Sequence, residues 1–133
     1  MALRLFLDSA ASAAWDQWLP SGLFHGVTTN PTLLRRAGVA CTLEALKALC
    51  TRATDHGCQE IQLQTWGSSA AEASERGLAL AALDPRRVVV KVPIDRQGCD
   101  TARTLIAAGV RVTFTACYEP AQVLLAAALG ADY

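Results

Sequence analysis

The chain has 133 residues, 52% of them hydrophobic and 18% charged, and its twelve basic side chains balance twelve acidic ones. That length carries one core and is short for two, so a single domain over residues 1–133 is expected. Zero net charge, with no basic stripe interleaved with aromatics, argues against nucleic acid or an anionic membrane as partner and leaves a small neutral or locally anionic ligand.

Short β-rich runs at residues 3–7, 23–28, 60–64, 88–92 and 110–115 alternate with helix-forming stretches at 10–19, 42–55, 68–83, 100–108 and 120–129. The first run starts close to Met1, without the long apolar region and small-residue cleavage site of a secretory signal. Trp15 and Trp18, three apart on the first helix, read as core or interface anchors. His25, in Phe24-His25-Gly26-Val27, reads as a satisfied strand residue rather than a ligand. Thr42, Ser68 and Asp100 stand where N-caps belong, and Glu72 and Glu75 suit the positive end of the third helix. Trp66, just past the third run, either packs beneath a loop or lines a pocket, and packing is the expectation. The last apolar stretch, residues 123–129, is too short to cross a bilayer.

Five cysteines (Cys41, Cys50, Cys58, Cys99, Cys117) form an odd count with no Cys-x-x-Cys pair, and His25 and His56 lack metal-ligand spacing. Reduced thiols, a cytoplasmic setting and no metal are expected, with Cys50 and Cys117 acting as small hydrophobes on apolar faces. No cofactor is expected either; Asp8-Ser9-Ala10-Ala11, where an open doubly wound sheet would carry a Gly-rich phosphate cradle after its first strand, counts against that architecture, although an acidic residue at that strand end resembles those that bind metal in some open-sheet receivers.

Strand–helix alternation calls for parallel strands joined by right-handed crossovers. Five such α/β units fit either an open, doubly wound parallel sheet or part of a barrel, and length alone favours the open sheet. The polar residues favour the barrel. Each apolar run ends in a usable side chain: Asp8, Thr29 with Asn30, Gln64, Lys91 and Thr115. The carboxyl ends of parallel strands lie on one side, so these residues converge although they are far apart in sequence. Singly, each has an ordinary alternative: Asp8 or Asn30 capping the next helix, Gln64 and Thr115 satisfying loop backbone.

Lys91 is the most informative residue, because it lies inside Val88-Val89-Val90-Lys91-Val92-Pro93-Ile94, a run short enough to be a buried strand. Burial disfavours the ammonium and leaves a neutral amine able to attack a carbonyl carbon and form a Schiff base. The alternatives are a structural ion pair or a stem that reaches past the strand end to water.

Gly26-Val27-Thr28-Thr29-Asn30-Pro31-Thr32-Leu33-Leu34 closely resembles the second-strand signature of the transaldolases and the related fructose-6-phosphate aldolases. Val89-Val90-Lys91-Val92-Pro93 resembles their Schiff-base lysine motif, and Phe6-Leu7-Asp8-Ser9-Ala10 their first strand with its catalytic aspartate. Gly109-Val110-Arg111-Val112-Thr113-Phe114-Thr115-Ala116, followed by residues 122–131, is similar to the fifth strand and its helix. The resemblance implies a TIM-type (β/α)8 barrel, of which about five βα units are present, and a class I aldolase acting on a ketose or sugar phosphate in carbohydrate metabolism. By the same resemblance Lys91 forms the imine, Asp8 transfers protons, Asn30 with Thr29 binds donor oxygens, and Gln64 and Thr115 hold a catalytic water. Gln64 stands where the transaldolases commonly have glutamate and the fructose-6-phosphate aldolases glutamine, a slight lean toward aldolase action.

The family's proton-relay aromatic, phosphate-binding arginine and donor-site serine fall beyond Ala131-Asp132-Tyr133, which implies truncation after the fifth unit. Such a piece would expose two sheet edges, so a homo-oligomer or a complementing chain is expected. The alternatives are an inactive fragment and a non-catalytic open-sheet binding domain.

Overall fold

A computed structural model describes residues 3–133; residues 1–2, where the signal-peptide reading begins, lie outside the described residues. In chain order the elements are β1 (Phe6–Asp8), α1 (Ser12–Trp18), β2 (Gly26–Thr28), α2 (Pro31–Arg36), α3 (Leu43–Asp55), β3 (Glu60–Gln64), α4 (Ala70–Ala81), β4 (Val88–Pro93), α5 (Arg96–Ala107), β5 (Val112–Thr115) and α6 (Pro120–Leu129), with a single 3-10 turn at Leu19–Ser21.

The strands form one sheet in the order β1-β2-β3-β4-β5, every neighbouring pair parallel. A doubly wound sheet reverses its strand order at a switch point and so places helices on both faces. Here there is no reversal and β1 lies at an edge, the arrangement of a barrel wall. The faces agree. Leu7, Val27, Ile61 and Val88 stand side by side in register, as do Leu63, Val90 and Val112, and all pack into one core with helix residues such as Trp15, Leu46, Leu80 and Leu105. The alternate residues of the same strands point to the opposite face, which is largely polar.

Local chemistry sets the helix starts. Asn30, Thr42, Ser69 and Asp95 accept hydrogen bonds from the backbone N–H groups of Leu33, Ala45, Glu72 and Gly98, each such cap stabilising by about 1 kcal/mol. Thr42 caps as expected, but Ser69 takes the place foreseen for Ser68, whose hydroxyl instead donates to Glu72 Oε2 at 2.7 Å. Asp95, not Asp100, caps α5, which begins a turn earlier than its composition implied. Pro31 at the first helical position, behind the Asn30 cap, starts α2, a helix that hydrophobic periodicity alone did not announce.

Trp15 is fully buried, with its indole N–H donating to the Ser9 carbonyl at 2.7 Å, while Trp18 is half-exposed. Burial pushes the Cys50 thiol up to about 12, so it behaves as a small apolar group. Among the described residues no helix is long and apolar enough to cross a membrane, and no cluster of three or more His, Cys, Asp or Glu side chains could hold a metal.

Candidate active site

The polar face of the sheet is laid out by register. Asp8, Thr28, Gln62 and Val89 form one row across β1 to β4; Gln64, Lys91 and Thr113 form the next, and Pro93 lies opposite Thr115. Strand alternation puts all of these side chains on the side away from the helices.

Lys91 is only 8% exposed, in a strand whose Val89, Val90 and Val92 are all buried. Burial lowers its pKa below the ordinary lysine range, and the negative charge of Asp8 opposes that shift without an ion pair between the two among the described residues. Asp8 is tethered by Thr28, whose hydroxyl donates to Asp8 Oδ1 at 2.7 Å. Gln64 stands directly opposite Lys91; it also lines a crevice of about 280 Å³ with Trp66, Ala73 of α4, Val92 and Gly98 of α5, a lining that includes neither Lys91 nor Asp8. Thr115 ends β5, and Ala116 behind it has a left-handed φ of 60°.

The structure brings Asp8, Gln64 and Lys91 onto one face, with Thr115 at its rim. Asn30 follows β2 at the same end, with its Oδ1 committed to the Leu33 N–H at 2.9 Å, so the capping role weighed for it is real. Thr29 does not join them: it is fully buried and its hydroxyl donates to the Gln62 carbonyl at 3.0 Å. Its predecessor Thr28 faces the site in its place. Three site-face residues went unremarked in the sequence, namely Thr28, Gln62 and Thr113. Counting by twos back from Asn30, Gln64 and Thr115 finds all of them. Trp66 does both things weighed for it: it packs against the core, with the Arg76 guanidinium 5.2 Å from its ring centre and donating to its carbonyl at 3.2 Å, and it lines the crevice.

The family model described as Transaldolase/Fructose-6-phosphate aldolase matches residues 5–133. The chain belongs to this transaldolase/fructose-6-phosphate aldolase family. A probable transaldolase of Caulobacter sp. (strain K31) is 35% identical over 131 residues, covering 98% of this chain and 58% of that protein. A probable transaldolase of Phenylobacterium zucineum (strain HLK1) is 35% identical over 133 residues with the same coverage, and one of Thermus thermophilus is 34% identical over 139 residues, covering 98% of this chain and 60% of that protein. The chain therefore spans somewhat over half the length of the transaldolases it matches. The transaldolase-like sequence motifs coincide with the strand ends that carry the polar face: Asp8 closes β1, Asn30 follows β2 and Lys91 lies in β4.

Proposed function

We propose that this chain carries the donor half of a class I aldolase site of transaldolase type, capturing a ketose as a Schiff base on Lys91. One observation carries the reading: an amine 8% exposed in an aliphatic strand, held unpaired on the face that bears Asp8. A structural lysine in such a place takes a contact carboxylate to offset its desolvation, and Lys91 does without one.

In this reading neutral Lys91 attacks the C2 carbonyl of the ketose. A C–N bond forms, the carbonyl oxygen takes up a proton, and loss of water leaves an iminium. The iminium accepts the electron pair released when the C3–C4 bond breaks, while Asp8 takes the proton of the C4 hydroxyl and an aldehyde departs. Thr28 fixes the Asp8 carboxylate for that transfer, and Asn30 offers its remaining amide N–H to a donor oxygen. Gln64, in register with Lys91, and Thr115, two residues beyond the Lys91 partner Thr113 on β5, hold the water for imine hydrolysis; Gln64 orients it without titrating. The substrate class is a ketose such as dihydroxyacetone or fructose 6-phosphate.

The test is covalent trapping. Incubation with dihydroxyacetone and borohydride should add one donor to the peptide containing Lys91 and none to the exposed Lys47, and Lys91→Met should abolish the adduct. An unmodified Lys91 in protein that melts cooperatively overturns the reading.

A further inference from the structure

The residue after Gln64 is bonded on two sides. Thr65 N–H donates to the Lys91 carbonyl at 3.0 Å, which carries the β3–β4 ladder one step past the Gln64–Lys91 pair. Its side chain lies on the helix side of the pleat, 3% exposed, with the hydroxyl donating to the Ala73 carbonyl of α4 at 2.7 Å. Close packing between strand and helix ordinarily holds a strand end in place. Here the packing is interrupted, because the crevice opens between Thr65 and Val92 at the strand ends and Ala73 and Gly98 on the helices. The end of β3 therefore has room to shift, and the Thr65 hydroxyl ties it to α4. Val92 lines the same crevice at 1% exposure, so an aliphatic β-branched side chain packs at this depth; what threonine adds is the hydroxyl. Further along the loop, Arg76 donates to the Trp66 carbonyl and Ser68 N–H donates to Glu72 Oε2, contacts that keep the loop on α4 without Thr65.

We propose that Thr65 is a positioning residue, whose hydroxyl tethers the end of β3 to α4 and thereby holds the Gln64 amide in place opposite Lys91. This role rests on the aldolase reading above and adds what fixes the group that orients water. A misplacement of about 1 Å in a positioning group costs roughly a hundredfold in rate. A buried hydrogen bond is strong enough to choose between two close positions of a strand end. The consequence is kinetic. The water lost when the imine forms and the water taken up when it hydrolyses pass through the same arrangement, so loss of the tether slows both directions alike and leaves their equilibrium unchanged.

Thr65→Val keeps the shape and removes the hydroxyl. Protection of the position-65 amide from hydrogen exchange should fall roughly tenfold, while the Ile61 N–H, which donates to the Arg87 carbonyl at the other end of β3, keeps its protection. With dihydroxyacetone and timed borohydride quenching, imine formation and, after removal of the donor, imine decay should both slow roughly tenfold, with the fraction trapped at equilibrium unchanged. A merely structural role would instead lower that fraction at the parent's rate. Thr65→Ser should restore protection and both rates, and adding Thr65→Val to Gln64→Ala should slow the imine steps no further than Gln64→Ala alone. Unchanged protection at position 65, unchanged imine rates, a smaller trapped fraction at the parent's rate, or additive slowing in the double variant overturns the proposal. Should Thr65→Val not fold, Thr65→Ala is read by the same measures. The two readings fail separately: a parent that traps no ketose, yet loses protection in Thr65→Val and regains it in Thr65→Ser, loses the aldolase reading and keeps the tether.

Discussion

At the scale of single residues, Lys91 couples function to stability. Its pKa is lowered in the folded state, so between the folded and unfolded values the unfolded chain binds the extra proton and stability rises with pH. Below the folded value both states are protonated, and the full cost of the buried ammonium is paid. Lys91→Met, similar in length and uncharged, removes that cost. It should be more stable at neutral pH by about 1.4 kcal/mol for each unit of depression, with a flatter dependence of stability on alkaline pH. Urea melts near pH 7 and near pH 10 measure this, and a variant less stable than the parent would mean that the amine has a partner. The same residue shows what sequence conveys. A lysine among valines announces desolvation, and the family motif announces chemistry, but neither says which of two adjacent threonines faces the site. Thr28 and Thr29 are the same residue type in one strand signature; only the pleat, fixed by Val27 and Ile61 entering the core, sends Thr28 toward Asp8 and Thr29 to the Gln62 carbonyl.

At the scale of elements, the seat of β4 depends on how closely α5 approaches it. A Cβ at Gly98 would lie 1.7 Å from the Pro93 carbonyl oxygen and 2.9 Å from its carbonyl carbon, both backbone atoms that cannot swing aside. Gly98→Ala should therefore force α5 off the end of the lysine strand, costing about 2 kcal/mol or more and slowing imine formation at Lys91. Asp95→Ala, which removes only the cap of the same helix, should cost about 1 kcal/mol and leave α5 in place. Melting together with trapping rates separates the two: equal effects would show that close approach is not what seats β4. All five strands and five of the helices were legible, because β-branched runs and cap residues state their own geometry. The boundaries were less so. The expected start of α5 at Asp100 ignored Asp95, whose capping role depends on the chain turning directly after Pro93, and α2 was hidden because a six-residue helix shows too little periodicity. What composition could not choose between, one covered face or two, was settled by strand order.

At the scale of the whole molecule, the curl of the sheet is visible in side chains that span it. Residues 132–133 run beside β5, with Asp132 N–H donating to the Val112 carbonyl at 2.9 Å and Phe114 N–H donating to the Tyr133 carbonyl at 3.1 Å. From there the Tyr133 ring crosses the site face to stand edge-on to Phe6 of β1, with ring centres 5.5 Å apart. Its hydroxyl accepts from Arg4 at 2.6 Å and donates to Glu60 at 2.9 Å, and Glu60 also accepts from Arg111 at 2.7 Å. His25, expected to be satisfied, stands 3.5 Å from the same carboxylate with its buried Nε2 making no hydrogen bond. A flat sheet would hold β1 and the segment beyond β5 well apart, whereas this cluster draws the amino ends of the strands together beneath Lys91. Burial disfavours the Glu60 carboxylate, but the hydrogen bonds from Tyr133 and Arg111 outweigh it and hold its pKa below the usual glutamate range. The stability this gives is fully present above the unfolded glutamate pKa and is lost as pH falls through the lower folded value. Tyr133→Phe keeps the ring against Phe6 and deletes the hydroxyl, so it should cost about 1–2 kcal/mol near neutral pH, part of it from the burdened Glu60. Because the Arg111 bond remains, the loss of stability on acidification should shrink without vanishing; in Glu60→Gln, which cannot ionise, this site's contribution to it should vanish. Urea melts near pH 3 and near pH 7 give both differences. If Tyr133→Phe acidifies with the parent's full loss, Tyr133 is a packing residue alone, and the curvature must be held by the helices on the other face.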